Sequence, residues 1–367
     1  MKIYTIPDVS NELTINSIFN SNINDKLYKK ITSKKSEIDN VQDMWGLAKK
    51  ISNDYEYIYT SSNHRKNISS IIPVSRSFFK LREIIYDFKL NISGKCSCIA
   101  EAPGGFMQSL LIFCKEQRID LNIINGITLL SDNKDNKDIP YWNSNILNND
   151  KIKICNGFDN TGDLYKLKNV LYFIKFNGKN NCSLVTADGG FDYTSNFEQE
   201  LSSYKLFYSE IFIALNIQEE KGSFICKFFD LFHYSTLQLI YILFLSYEKI
   251  SFIKPFTSRQ SNSEKYVVCQ GFKGFNVELS NLMCSHFGQD NLPIELPNLF
   301  IEIINNYHDK FITNQINRID YTLQLIKDRR IKEKPRQKQI SLAIEWCKKY
   351  EIKVNTNCIY LRTIYDN

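Results

Sequence analysis

The sequence predicts an α/β protein with a Rossmann-like, doubly wound sheet of seven strands, flanked by an N-terminal extension and a helical C-terminal extension. Between residues 96 and 271, short apolar runs alternate with amphipathic helical stretches, as in a sheet covered by helices on both faces. The last two apolar runs are joined by the ten residues "PFTSRQSNSE", which leave no room for a crossover helix. We therefore expect the final pair to form an antiparallel hairpin on an otherwise parallel sheet.

Each short apolar run is interpreted as a strand, and each amphipathic stretch as a helix. The strands are predicted at 96–101, 121–129, 151–155, 182–188, 222–229, 249–254 and 265–270. The helices are predicted at 75–88, 106–117, 163–175, 196–216 and 234–247. These elements divide the chain into an N-terminal extension (1–70), a sheet domain (71–275) and a helical C-terminal extension (276–367).

Composition indicates a globular protein of 367 residues, with 43% hydrophobic and 23% charged residues. The formal charge of +6 is mildly basic, which permits a polyanionic partner but does not require one. The ten cysteines include no CxxC pair and no metal-ligand spacing, so we interpret them as free thiols in a reducing compartment. No signal peptide or membrane span is apparent, which predicts a cytoplasmic protein, with the nucleus as the alternative.

A glycine-rich loop, "EAPGGF" (101–106), follows the first predicted strand. Ligands of open α/β sheets bind at the carboxyl edge of the sheet, where this loop is expected to lie. Gly104 and Gly105 allow positive φ and close approach of a ligand, while Pro103 stiffens the loop. An ordinary strand-to-helix turn is the alternative. A phosphate loop is excluded, because neither GxxxxGK[ST] nor GxGxxG is present.

Four charged residues stand out at or near the ends of predicted elements. Lys227 interrupts the apolar strand "FICKFFD", where an unpaired ammonium would be costly to desolvate, unless strand alternation turns it outward. Asp188 ends a strand before two glycines, and Glu264 begins the last strand. Lys80 lies on the helix that precedes the sheet. This composition suits either a reactive cluster or a structural ion-pair network.

The chain resembles the FtsJ-like RNA ribose 2′-O-methyltransferases, most closely the eukaryotic and large-DNA-virus branch that methylates the mRNA cap. The resemblance covers about residues 71–273. It depends on five segments that occur in the family's order: "SRSFFKL", "AEAPGGF", "ADGGFD", "FICKFFD" and "SRQSNSEKY". It implies a methyltransferase sheet that uses S-adenosylmethionine (SAM) and no metal, and a viral source would place the protein in virus factories or virions. An rRNA or tRNA 2′-O-methyltransferase and an inert RNA-binding subunit are the alternatives.

The resemblance also implies a role for each matched residue. The family's Lys-Asp-Lys-Glu tetrad falls on Lys80, Asp188, Lys227 and Glu264. Lys227 is the candidate base, whose pKa we expect burial and Lys80 to lower. The SAM-binding loop falls on Glu101, Ala102, Pro103, Gly104, Gly105 and Phe106, with Asp188 beside the sulfonium.

The rest of the cofactor site departs from the family pattern. Many members have an acidic residue at the tip of the second strand, where this chain has Thr128 or Leu129 unless Asp132 reaches back. Asp159 and Asp163 are candidates for the adenine side, and the sequence does not choose between them.

The implied RNA substrate, the 5′ end of capped mRNA, is expected to cross the same sheet edge, with other capping or transcription proteins as further candidate partners. The candidate contacts flank the tetrad positions: Arg76, Lys254, Ser258, Arg259, Asn262 and Ser263. Stacking of a base or cap on an aromatic ring is weighed against core packing for Trp45, Tyr55, Tyr57 and Tyr59. The basic run 327–339 either holds RNA or forms a solvated helix face.

Overall fold

The strands and helices below are those of a computed structural model, which describes residues 2–7, 14–15, 24–131, 139, 141–190, 199–331 and 334–361. The strands are β1 (Lys2–Thr5), β2 (Thr14–Ile15), β3 (Gly94–Ile99), β4 (Leu121–Ile127), β5 (Ile152–Ile154), β6 (Cys182–Ala187), β7 (Gln218–Phe228), β8 (Tyr247–Lys254), β9 (Lys265–Phe272) and β10 (Ile294–Glu295). The helices are α1 (Asp25–Ser36), α2 (Gln42–Ile51), α3 (Ser77–Phe88), α4 (Gly105–Gln117), α5 (Ser144–Leu147), α6 (Leu167–Asn177), α7 (Gln199–Ile217), α8 (Tyr234–Ser246), α9 (Val277–Ser285), α10 (Asn298–Lys327) and α11 (Gln337–Lys349).

The central sheet has the strand order β1-β8-β9-β7-β6-β3-β4-β5. Neighbouring strands from β7 to β5 pair in parallel, whereas β9 lies between β7 and β8 and is antiparallel to both. The α/β class, the seven predicted strands and the β8–β9 hairpin are therefore confirmed. The count of seven was one too low within the described residues, because β1 adds an eighth, antiparallel to β8. Its four residues are too few to show a strand period.

Helices cover both faces of the sheet. On one face α3 and α4 pack through residues such as Leu81 and Leu110. On the other face α6, α7 and α8 pack through residues such as Val170, Ile211 and Leu237. All six residues of β6 are buried as a result, as is typical of a parallel strand with both faces covered. Ligands are thereby restricted to the ends of the strands.

The two extensions pack against each other as well as against the sheet domain. Ile31 of α1 and Ile316 of α10 belong to one buried cluster, together with Phe232 from the loop after β7. Trp346 of α11 packs with Phe79 of α3 in another cluster. The two extensions therefore surround the carboxyl end of the sheet. No helix in the described ranges has both the length and the apolar character needed to cross a membrane.

Candidate active site

The four charged residues singled out in the sequence come together as two ion pairs at the carboxyl edge of the sheet. Lys80 Nζ lies 2.7 Å from Glu264 Oε2. Lys227 Nζ lies 3.4 Å from Asp188 Oδ1 and donates to the Asp188 backbone oxygen at 2.7 Å. Each of the four side chains is only 11–13% exposed. The site thus holds equal numbers of positive and negative groups, largely shielded from water.

Strand order explains why residues so distant in sequence meet here. Asp188 directly follows β6, and Lys227 is the penultimate residue of the parallel neighbour β7. Because β9 is antiparallel to β7, its first residue, Lys265, pairs with Phe228 at the end of β7. Glu264, one residue earlier, therefore reaches the same edge. The reversed strand places this carboxylate opposite the ends of the parallel strands.

Tyr266 links the two ion pairs, and sequence analysis did not identify it. Its hydroxyl donates to Asp188 Oδ1 at 2.7 Å, and Lys80 Nζ lies 5.9 Å from the centre of its ring. The ring is fully buried. The sequence did contain an indication of this tyrosine, because Tyr266 is the last residue of the matched segment "SRQSNSEKY".

The electrostatics of the site differ from expectation at Lys227. Burial lowers the pKa of its ammonium, but Asp188, Glu264 and Glu210 raise it, and the net pKa lies above its ordinary value of 10.5. Burial acts in the expected direction, but the expected net lowering of the Lys227 pKa was wrong. Burial raises the pKa of Glu264, yet Lys80, Lys227 and Lys254 outweigh it and bring this pKa to about 2. Both groups are therefore charged at neutral pH.

Lys254 shapes the loop that carries Glu264. Its Nζ donates to the backbone oxygen of Glu264 at 2.6 Å and to Asn262 Oδ1 at 2.7 Å. Ser258 Oγ donates to Glu264 Oε1 at 2.8 Å, while Ser263 Oγ accepts from Lys35 Nζ at 2.9 Å. Lys254, Ser258 and Ser263, which were predicted as RNA contacts, are buried, and their polar atoms bond within the protein. Asn262 is exposed.

Arg76 and Arg259 converge on one buried carboxylate from the N-terminal extension. Arg259 Nε and Nη2 donate to the two oxygens of Glu56 at 3.0 and 2.8 Å, and Arg76 Nη1 lies 3.4 Å from Glu56 Oε1. Glu56 is fully buried, whereas the two arginine side chains are 27% and 23% exposed. Two guanidinium groups sharing one carboxylate leave excess positive charge at the rim of the site, which suits a phosphate.

A cavity of about 270 Å³ opens at the carboxyl ends of β3, β4 and β6. Its lining includes Ala102, Thr128, Leu129, Asp163 and Asp188, so it connects several predicted cofactor residues with the ion pairs. A Cβ at Gly162 would lie 1.8 Å from the Thr128 backbone oxygen, so this lining needs glycine there. The volume is close to the lower bound of small-molecule sites, about 300 Å³.

Of the two aspartates left open by the sequence, only Asp163 is among the lining residues of this cavity. The carboxylate of Asp159 is instead engaged within its own loop. It accepts from the Thr161 hydroxyl at 2.6 Å and from Asn169 Nδ2 at 2.9 Å. Asp132 lies outside the described residues.

The glycine-rich loop holds a buried carboxyl group. Glu101 Oε1 accepts from the backbone N–H of Phe106 at 2.8 Å, whereas Oε2 has no hydrogen-bond partner among the described residues. Burial, and then Asp188, raise the pKa of Glu101 well above its ordinary value. Gly104 takes a φ of +109°, as expected for a glycine. Glu101 is buried behind the loop and is not among the residues that line the 270 Å³ cavity.

Gly105 serves a different purpose from the one expected. A Cβ there would lie 2.1 Å from Ser77 Oγ and 2.2 Å from Ser75 Oγ, so this glycine lets the start of α3 approach the loop. Of the six predicted loop residues (101–106), Ala102 alone is among the residues that line the cavity. Phe106 is fully buried, with its ring centre 6.2 Å from that of Tyr266.

The aromatic side chains weighed as stacking platforms differ in their surroundings. Tyr57 is buried in the cluster around Trp346, and Tyr59 packs 5.9 Å from Phe79. Trp45 packs against the cluster between α1 and α10. Core packing therefore accounts for these three rings, whereas Tyr55 lines a second cavity.

Comparison with known proteins identifies the family of this chain. The model of the FtsJ-like methyltransferase family matches residues 73–272, more than half of the chain. Cap-specific mRNA (nucleoside-2′-O-)-methyltransferase 1 of Trypanosoma brucei brucei is 32% identical over 211 residues, which cover 54% of this chain and 54% of that protein. Cap-specific mRNA (nucleoside-2′-O-)-methyltransferase 2 of Mus musculus is 33% identical over 224 residues, covering 58% of this chain and 29% of that protein.

The chain thus spans about half of the trypanosome protein and under a third of the mouse protein. Among solved structures, a ribosomal RNA methyltransferase of Plasmodium falciparum aligns with 55% of this chain and 99% of its own, at 19% identity and a TM-score of 0.39. The family match spans the sheet domain with all four ion-pair residues inside it. This chain therefore belongs to the FtsJ-like methyltransferase family.

Proposed function

We propose that this chain transfers a methyl group from SAM to a ribose 2′-hydroxyl in the first transcribed nucleotides of capped mRNA. One observation carries the proposal: Asp188 both lines the 270 Å³ cavity and pairs with Lys227. A ligand in the cavity and a hydroxyl beside Lys227 would therefore be neighbours. The names of the trypanosome and mouse relatives support the cap as the substrate.

The cavity suits the methyl donor by its chemistry. The carboxylate of Asp163 is an acceptor for hydroxyl and amino groups at the cavity wall, and Thr128 and Leu129 offer a small, mostly apolar wall. When bound, SAM supplies an electrophilic methyl group on a positively charged sulfur. Negative charge on Asp188 at the cavity wall favours such a cation.

The residues of the two ion pairs then act on the ribose. Lys227 is the general base, and its Nζ receives the proton of the 2′-hydroxyl. Lys80, held by Glu264 at 2.7 Å, orients the hydroxyl by donating to its oxygen. Arg76 and Arg259 at the rim neutralise the adjacent phosphates.

The raised pKa of Lys227 predicts a steep pH dependence. The base must be neutral to accept a proton, but its pKa in the free enzyme lies above 10.5, so only a small fraction is active at neutral pH. We expect kcat/KM to rise about tenfold per pH unit between about pH 6.5 and 8.5. A radiolabelled-SAM assay at subsaturating RNA measures this slope. A plateau below about pH 8 would contradict the assignment of an unassisted Lys227 base.

The substrate is tested with three matched short RNAs: one with a cap, one with a 5′-triphosphate, and one with a cap and a 2′-O-methylated first ribose. We expect methyl transfer only to the first RNA. Equal transfer to the triphosphate RNA would favour the rRNA or tRNA class instead. Binding of SAM without transfer to any of the three would indicate another RNA, and failure to bind SAM would favour an inert RNA-binding subunit.

A further inference from the structure

A second and larger cavity lies where both extensions meet the loop between β8 and β9. Its volume is about 660 Å³, within the usual range for a small-molecule site of about 300–1,000 Å³. Lys254 lines this cavity and also donates to the backbone oxygen of Glu264 at 2.6 Å. Gln260 of the same loop is another lining residue. The cavity therefore adjoins the active-site loop on the side of the extensions.

One wall of this cavity carries excess positive charge. Arg318, Arg336 and Lys338 all face a single carboxylate, that of Asp54, at 3.4, 3.3 and 3.9 Å. Their side chains are 24%, 41% and 69% exposed, so two of the three are accessible to a ligand. Three cations against one anion leave a net positive wall that suits a phosphate group.

The rest of the cavity offers aromatic and amide groups. Tyr55 and Phe256 both line it, with ring centres 4.6 Å apart. Gln315 is 3% exposed and donates its amide N–H to Ser261 O at 3.2 Å, but its Oε1 has no hydrogen-bond partner among the described residues. A buried acceptor without a partner is costly, and a donor on a ligand would satisfy it. Nucleobases carry such donors, and their flat faces pack on aromatic rings.

We propose that this cavity binds one nucleotide of an RNA chain, with its phosphate at Arg336 and Lys338 and its base near Tyr55 and Gln315. The inference extends the proposed RNA methylation and rests on it for the identity of the chain. A free nucleotide has the same chemistry, but RNA is favoured because the cavity shares the 255–264 loop with the catalytic edge. The site would hold the transcript while another of its riboses lies at Lys227.

The test compares Lys338→Glu with Lys348→Glu, which makes the same charge change on α11 at an exposed lysine that does not line the cavity. Binding of a labelled capped RNA of about twenty nucleotides is measured by fluorescence anisotropy at several salt concentrations. We expect Lys338→Glu to weaken binding about tenfold and to reduce the salt dependence of the affinity, because a phosphate contact is lost. Lys348→Glu is expected to bind as the wild type does.

Equal affinities of the two variants would overturn the proposal. Saturable binding of free AMP that Lys338→Glu abolishes, with RNA affinity unchanged, would overturn the RNA assignment in favour of a free nucleotide. A photo-crosslink from 4-thiouridine in the RNA to Tyr55 or Tyr321 would support it, and crosslinks confined to other surfaces would oppose it. These readouts need no methyl transfer, so a failure of the proposed enzymatic function would remain distinguishable.

Discussion

Replacement of Lys227 by alanine is expected to slow methyl transfer on the order of a thousandfold, because it removes the proposed proton acceptor of the ribose hydroxyl. The substitution should leave the fold intact, since Asp188 keeps its 2.7 Å hydrogen bond from Tyr266. It should also leave SAM binding measurable, because Lys227 does not line the 270 Å³ cavity. Single-turnover transfer of a radiolabelled methyl group to capped RNA measures the chemical step.

Two further variants serve as controls: one for the loss of a lysine in general, and one for the loss of positive charge at position 227. Lys249→Ala removes an exposed lysine from β8 and is expected to keep full activity. Lys227→Arg keeps the positive charge but replaces the amine with a group that does not lose its proton in this pH range. We expect Lys227→Arg to be as inactive as Lys227→Ala. Substantial activity in the arginine variant would mean that charge, rather than proton transfer, is what position 227 supplies.

The sequence predicted most of the sheet because each strand carried a local signal. Asp188 and Lys227 could be located because they stand at the ends of apolar runs whose parallel pairing follows from the βαβ pattern. The short link before β9 predicted the reversed strand, and with it the position of Glu264 at the same edge. For these residues, the position along the chain relative to the strand ends determines the position in the folded sheet.

Contacts between distant segments left no such signal. Glu56 accepts hydrogen bonds from Arg259, which lies 203 positions later in the chain. From the sequence alone, Glu56 would be interpreted as a single charged residue in the aromatic segment "YEYIY". Lys254 was predicted as an RNA contact, but the loop carbonyls to which it donates became apparent only with the hairpin closed. Likewise, Gly105 borders Ser77 at the start of α3, 28 residues earlier in the chain, rather than open space. A single sequence does not show which distant surfaces meet.

The largest effect on stability is expected at Asp230, which lies outside the proposed catalytic group. Lys265 Nζ lies 2.8 Å from Asp230 Oδ1, and Lys35 Nζ lies 3.5 Å from Oδ2. All three residues are less than 8% exposed. Asp230→Asn would remove the carboxylate that faces both buried ammonium groups, and we expect the free energy of unfolding to fall by about 3–5 kcal/mol. Urea denaturation at neutral pH measures the loss.

The pH dependence of stability provides a second measurement on the same variant. Burial raises the pKa of Asp230, but Lys265 and Lys35 outweigh it and hold the pKa well below its ordinary value of 3.8. Because the unfolded chain then binds this proton more tightly than the folded chain, the contribution of Asp230 is present above about pH 4 and is lost on acidification. We therefore expect the wild type to lose more stability than Asp230→Asn between about pH 5 and 3.

The alternative explanation, a general disturbance of packing, is separated by two further variants. Glu248→Gln breaks the exposed pair with Lys221, whose side chains are 52% and 72% exposed, and should leave stability nearly unchanged. Combining Asp230→Asn with Lys265→Met removes one of the two ammonium groups that face position 230, so the double variant should regain part of the lost free energy. If Lys265→Met instead lowers the free energy of unfolding further in the Asp230→Asn background, the losses reflect disturbed packing around Asp230 rather than charge. Recovery would show that Asp230 holds α1 and β9 together through charge.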